Sequence, residues 1–107
     1  MKFLTIATVK DIFRTLPQAE QNKLWEENVR WMVDYKKKMG DKFNLYAEVG
    51  WARLVSIGEY KSVEEYSQSL ESPPMAQAGF INYEGYPLIE VDEKALSAWL
   101  KSQKKAN

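Results

Sequence analysis

Residues 47–66, AEVGWARLVSIGEYKSVEEY, begin with residues that are typical of a strand and end with residues that are typical of a helix. The run ARLVSI at 52–57 is rich in apolar and β-branched residues, and a glycine lies on each side of it. Ser62 is followed three residues later by Glu65, the pattern of a capping box, which marks the beginning of a helix. The stretch therefore predicts a strand that leads directly into a helix.

Two elements are predicted before this stretch. Residues 2–9, KFLTIATV, are apolar on both alternating faces, which is typical of a central strand that is covered on both sides. Thr15 and Gln18 form a second capping-box pattern, so a long helix should begin there. This helix is predicted to run to about Met39, because Gly40 is a natural C-terminal cap.

The remaining elements follow in a regular order. They are a second strand at 43–49, a third strand at 52–59, a short helix that Pro73 and Pro74 end, a fourth strand within 80–91, and a last helix that Asp92 caps. Gly85 and Pro87 predict a bulge or turn that interrupts the fourth strand. In the last helix, Leu96, Trp99 and Leu100 share one face and predict a docking stripe.

This order predicts an α+β fold. Strand, helix, strand, strand, helix, strand is the ferredoxin-like βαββαβ arrangement, with a four-stranded antiparallel sheet, two helices on one face and an extra C-terminal helix. We expect residues 1–107 to form one such domain, with the first and third strands in the centre of the sheet. Both central strands are apolar on both faces, yet the helices cover only one, so we predict a homodimer in which two sheets pack face to face.

The composition excludes several classes of protein and site. The 15 basic and 15 acidic residues balance, so no overall field favours nucleic acid or a membrane as a partner. The chain has no cysteine and no histidine, which excludes thiol nucleophiles, thiolate metal sites and Ser-His-Asp triads. No glycine-rich phosphate loop and no calcium-loop spacing occurs, and we expect no cofactor. Because no convincing signal peptide or membrane span is present, a cytoplasmic protein is expected.

One part of the chain resembles a known family. The segment GWARLVSIGEYKSVEEYSQSLESPPM at 50–75, followed by LIEVD at 88–92, resembles the muconolactone isomerase-like branch of the dimeric α+β barrel proteins. The resemblance extends over roughly residues 43–92 and implies that fold, a homodimer and a small-molecule ligand. Residues 76–87 are longer than the corresponding passage of the family. The wider superfamily includes isomerases, cofactor-free monooxygenases and small-molecule-binding stress proteins, so no catalytic residue is transferred from it.

Candidate catalytic residues come from the chemistry that such an isomerase needs. Moving a proton beside a carbonyl group requires a desolvated base and a donor to the enolate. Without histidine, Glu48 and Glu84 are the candidate bases, Arg53 could bind a substrate carboxylate, and Tyr46 and Tyr83 could donate to an oxyanion. The alternative is that Glu48 and Arg53 form only a cross-strand ion pair at a sheet edge.

The long helix also predicts a ligand cavity beneath it. Its aromatic residues Trp25 and Tyr35 face the sheet and could line a pocket for a flat aromatic or lactone ring. The predicted ligand-binding residues are Trp25, Asn28, Tyr35, Tyr83 and Glu84. Two alternatives remain: the aromatic side chains fill the core and the dimer seam, and Asn28 bonds a buried backbone group.

Two functions are therefore expected from different classes. The first is a homodimer that binds a small apolar or acidic organic molecule, with cofactor-free isomerase or monooxygenase activity. The second is a non-enzymatic module whose apolar faces serve only oligomerisation.

Overall fold

The computed structural model describes residues 1–106, and side chains as far as Lys104. The elements are β1 (Lys2–Val9), α1 (Gln18–Met39), β2 (Phe43–Ala47), β3 (Arg53–Glu59), α2 (Val63–Glu71), the short α3 (Pro74–Gln77), β4 (Ile81–Leu88) and α4 (Glu93–Ala106). Two 3-10 turns, Asp11–Thr15 and Gly40–Lys42, lie before and after α1. No helix among the described residues is both long and apolar enough to cross a membrane.

The four strands form one antiparallel sheet in the order β2-β3-β1-β4. The first and third strands of the chain are therefore central, as the apolar character of their two faces predicted. On β1, Thr5 lies opposite Ser56 of β3 and Gly85 of β4. Since side chains alternate between the two faces of a strand, this register decides which residues meet the helices.

α1 and α2 pack on one face of the sheet. Phe3 of β1 is buried there, and its ring stacks on that of Tyr66 from α2 with centroids 4.0 Å apart. Tyr35 of α1 packs against the same cluster. The odd-numbered residues of β1 therefore face the helices, while Leu4 and Ile6 lie on the opposite side, which we call the open face.

Several of the predicted helix ends are confirmed. Ser62 accepts a hydrogen bond from the N–H of Glu65 at 3.1 Å, so the capping box at α2 is present. Asp92 caps α4 by accepting from the N–H of Ala95 at 2.8 Å. Gly40, with a φ of 58° and a ψ of −131°, ends α1 in a positive-φ conformation that glycine adopts without strain.

The capping box predicted at Thr15 is wrong. Thr15 belongs to the 3-10 turn, where its hydroxyl donates to the carbonyl of Ile12 at 2.6 Å. α1 begins at Gln18 after Pro17, without a side-chain cap. The hydroxyl is thus used within the preceding turn and is not available to the helix.

The predicted interruption of the fourth strand is also wrong. β4 runs unbroken from Ile81 to Leu88 and pairs with β1 throughout. Gly85 is a glycine for another reason: a Cβ atom there would lie 2.3 Å from the hydroxyl oxygen of Tyr66. Pro87 is tolerated because β4 is an edge strand, where one side of the backbone needs no partner.

α4 extends away from the rest of the molecule. All described side chains from Ile89 to Lys104 are exposed, including the predicted docking stripe of Leu96, Trp99 and Leu100. The radius of gyration is 17.9 Å, whereas a compact chain of this length has one of about 13 Å. The predicted apolar stripe is present on α4, but its three side chains are exposed in the described part of the chain.

Candidate functional site

A cavity of about 80 Å³ lies between α1 and the helix-facing side of the sheet. Its walls come from all four strands and from the helices above them. The lining includes Thr5, Ala7, Leu54, Ser56 and Tyr83 from the sheet, and Asn28, Trp31, Met32, Tyr35 and Leu70 from the helices. It lies beneath the long helix, where the sequence predicted a ligand pocket.

The register of the sheet creates this space. Ala7 of β1 lies between Leu54 of β3 and Tyr83 of β4, and Ser56 lies opposite Thr5. These positions all point towards the helices because they share one face of the sheet. The small side chains of Ala7 and Ser56 do not fill the volume below α1, so a cavity remains.

Hydroxyl groups are the main polar feature of the cavity wall. The Tyr35 hydroxyl donates to the Tyr60 hydroxyl at 3.0 Å, which leaves the Tyr60 proton free for another acceptor. Thr5 and Tyr66 share a second hydroxyl pair at 2.6 Å. The hydroxyl of half-buried Tyr83 makes no hydrogen bond to any residue that the structure describes.

These phenols are held in their protonated form. Burial raises the pKa of Tyr83 to about 12. Burial, together with the hydrogen bond to Tyr60, raises the pKa of Tyr35 further above its ordinary value. Both groups therefore act as hydrogen-bond donors near neutral pH and not as bases.

Within the described part of the chain, no charged side chain lines the cavity. A buried ionised ligand group would lose its hydration without gaining an opposite charge, which costs several kcal/mol or more. An uncharged group that accepts hydrogen bonds fits the hydroxyl donors without this cost.

A second cleft, of about 240 Å³, which we call the outer cleft, adjoins the cavity between α1 and the C-terminal end of α2. It is lined by Trp31, Asp34, Tyr35, Lys38 and Ser72, so Trp31 and Tyr35 belong to both spaces. Their rings stack with centroids 4.7 Å apart and planes inclined by 12°. The stacked pair separates the uncharged inner cavity from a cleft that carries one acidic and one basic side chain.

Asn28 has the structural role that the sequence offered as an alternative. Its side chain is 5% exposed, and its Oδ1 accepts a hydrogen bond from the backbone N–H of Met75 at 3.1 Å. The bond joins α1 to the beginning of α3. Asn28 also lines the cavity, where its amide group adds polarity to the wall.

Two predicted ligand-binding residues lie elsewhere. Trp25 packs edge-on against Phe13 of the first 3-10 turn, with ring centroids 6.0 Å apart, and does not line the cavity. Glu84 points to the open face, because its neighbour Tyr83 points to the helices. Its carboxylate accepts a hydrogen bond from the Tyr86 hydroxyl at 3.1 Å.

Three of the predicted catalytic residues, Glu48, Arg53 and Tyr46, also lie on the open face, with the sheet between them and the cavity. Tyr46 is exposed opposite Val55. Arg53 donates to both carboxylate oxygens of Glu48, at 2.6 Å from Nε and 3.3 Å from Nη2. The ion pair that the sequence offered as an alternative is thus present, on two exposed side chains.

The ion pair moves the pKa of Glu48 in the direction opposite to the one that a general base needs. The hydrogen bond from Arg53 lowers the pKa of Glu48 below its ordinary value, against a smaller opposing effect of burial. A base that removes a carbon-bound proton needs a raised pKa in an apolar pocket. The structure therefore brings together Asn28, Tyr35 and Tyr83, and it separates them from Glu48, Arg53 and Tyr46.

The comparisons with known proteins add no relative. No model of a known protein family matches the chain, and no curated protein matches it. The resemblance to muconolactone isomerase-like proteins therefore stays a prediction.

Sequence reasoning missed several hydroxyl groups of the cavity, among them Thr5, Ser56 and Tyr60. Thr5 and Ser56 occupy strand positions of the same parity as Phe3 and Leu54. That parity was a usable signal once β1 and β3 were placed side by side. Tyr60 lies one residue beyond β3, and the same alternation places it on the side of Leu54 and Ser56.

Proposed function

We propose that this protein binds a small, uncharged organic molecule whose oxygen accepts hydrogen bonds, in the cavity between α1 and the sheet. The observation that carries the proposal is the combination of an apolar wall, protonated phenols and no charged lining side chain among the described residues. Ligand sites are typically apolar pockets with a few convergent polar groups. A ketone, a lactone or a phenol of small size has the matching chemistry.

The size of the cavity limits what it can hold. Its volume is about 80 Å³, roughly half of the 150 Å³ of an apolar cavity that takes up benzene. A five- or six-membered ring would enter only partly, or with a shift of Trp31 and Tyr35. The remainder of a larger ligand would then lie in the outer cleft beside Lys38 and Asp34.

Binding is better supported than catalysis at this site. The cavity offers donors that could stabilise an enolate, but the candidate carboxylate bases Glu48 and Glu84 lie on the other face of the sheet. The βαββαβ order with β1 and β3 in the centre supports a ferredoxin-like fold and the proposed kinship with dimeric α+β barrels. Isomerase and monooxygenase activities are secondary proposals that rest on this kinship alone.

Removing the Tyr83 hydroxyl group tests the proposed ligand class. We expect Tyr83→Phe to weaken the binding of a small cyclic ketone or lactone about 5- to 30-fold, which corresponds to one hydrogen bond of about 1–2 kcal/mol. Binding of a hydrocarbon ring of equal size should not change. Isothermal titration calorimetry with cyclopentanone, butyrolactone and cyclopentane measures both effects.

The matched control is Tyr46→Phe, which removes the same hydroxyl from the open face. It should leave all three affinities as in the unaltered protein. If none of the ring compounds binds at concentrations up to millimolar, the proposed function is contradicted. Equal weakening by both variants would contradict the assignment of the hydroxyl.

We also propose that the protein forms a homodimer through its open sheet faces. Leu4, Ile6, Val55 and Ile57 lie together on this face, whereas α1 and α2 pack on the opposite one. An apolar sheet face of this kind is otherwise an aggregation liability. The same surface supports the alternative proposal of a purely oligomerising module.

Light scattering measures this association directly. We expect a dimer at about 50 µM and a monomer for Ile6→Lys, because the charge would be buried between two sheets. The control Asn22→Lys adds the same charge on the exposed side of α1 and should leave the dimer intact. A monomer for the unaltered protein would contradict the proposal.

A further inference from the structure

α4 presents an apolar stripe that its own chain leaves exposed. Leu96, Trp99 and Leu100 have exposed fractions of 54%, 60% and 57%. An isolated helix of 14 residues is only marginally stable in water. A helix of this length with a defined apolar stripe is therefore expected to pack against another surface.

The molecule's dimensions indicate that this surface is not in the same chain. The long axis measures 62 Å, against 28 and 25 Å for the other two. α4 follows the edge strand β4 through residues 89–92, where Ile89 and Val91 are also exposed. Residues 89–100 thus begin at the edge of the sheet and extend away from it.

We propose that α4 packs on a second copy of this chain, so that two copies exchange their C-terminal helices across the proposed dimer. The inference rests on that dimer, whose sheets face each other. The exchanged helix would cover the border of the partner's open face with Leu96, Trp99 and Leu100.

The area needed for a stable dimer supports this exchange. Four strands spaced by about 4.8 Å and seven residues long give an open face of about 400 Å². A stable interface buries about 800 Å² on each partner. α4 is about 21 Å long and 10 Å wide, so each chain buries about 200 Å² of its own helix on the partner. The partner's helix in turn covers a similar area on the rest of the chain.

Charge complements this geometry. On the open face, Glu48 is paired with Arg53 and Lys2 with Glu59, which leaves the negative charge of Glu84. On the described part of α4, the basic residues Lys94, Lys101 and Lys104 outnumber the acidic Glu93. A positively charged helix therefore meets a weakly negative face.

Trp99→Lys tests the exchange. We expect it to weaken dimerisation at least tenfold by analytical ultracentrifugation, because it places a charge within the stripe. The control Ala98→Lys adds the same charge on the opposite side of α4 and should leave the dissociation constant within twofold. Because α4 is exposed in a single chain, neither substitution should change the stability of the monomer. When either one is added to the monomeric Ile6→Lys variant, the melting temperature should stay the same.

Hydrogen exchange distinguishes packing on a partner from packing on the same chain. The backbone amides of residues 96–104 should be protected in the dimer and exchange freely in the Ile6→Lys monomer. Protection that persists in the monomer would overturn the exchange. A dimer that Trp99→Lys leaves at full strength would also overturn it, while the sheet-to-sheet dimer would stand. A monomeric unaltered protein would overturn both, and the calorimetric test of the cavity would be unaffected.

Discussion

Gly85→Ala is expected to lower the free energy of unfolding by about 1–3 kcal/mol, the usual cost of overpacking a core. Local preference predicts the opposite sign, because alanine is normally favoured over glycine in a strand. The reason is steric: the added Cβ would lie 2.3 Å from the Tyr66 hydroxyl oxygen. That ring has little freedom to move, since it stacks on Phe3 and shares a 2.6 Å hydrogen bond with Thr5.

Urea denaturation of four proteins measures the effect: the unaltered chain, Gly85→Ala, Tyr66→Phe and the double variant. Removing the Tyr66 hydroxyl leaves the nearest remaining ring atoms 3.2 Å from the added Cβ, so Gly85→Ala should cost much less in that background. The coupling between the two substitutions isolates the close contact. A neutral or stabilising Gly85→Ala in the unaltered chain would show that the ring can move aside.

Asn28→Ala is expected to lower the free energy of unfolding by about 1–3 kcal/mol. The substitution removes the acceptor of the Met75 N–H, and a buried donor without a partner loses its hydrogen bond to water without compensation. Met75 is completely buried, so water has no direct path to that group. The denaturation midpoint in urea reports the loss.

Asn22→Ala is the matched control on the same helix. Asn22 accepts a hydrogen bond from Gln18 at 2.9 Å, but both side chains are exposed, so water replaces the bond. We expect a change within about 0.5 kcal/mol. Equal effects at the two positions would mean that the buried bond contributes no more than a surface bond.

Much of the fold could be predicted from local chemistry. Ser62 and Asp92 cap their helices as predicted because a cap needs only the next three residues. The double-sided apolar pattern of β1 placed that strand in the centre of the sheet. The prediction at Thr15 was wrong because its hydroxyl had an equally local competitor, the carbonyl of Ile12.

The candidate site was only partly predictable. Tyr35 and Asn28 follow from the helical period of α1 and do line the cavity. Glu48 and Arg53 are close together, as their positions on either side of a turn predicted, but a one-residue alternation places them on the face opposite the cavity. Which face of the sheet the helices cover depends on packing between distant elements. No local pattern determines it.

The sequence by itself determined the order of the strands and of the three longer helices, the caps of α2 and α4, and the absence of histidine and cysteine chemistry. These properties depend on residue type and on neighbours within a few positions. The tertiary structure decided that Gly85 makes room for Tyr66, that Asn28 bonds Met75, and that several hydroxyl groups lie in the wall of a mainly apolar cavity. Each of these contacts joins residues far apart in the chain, so it exists only after the sheet register and the helix packing have brought them together.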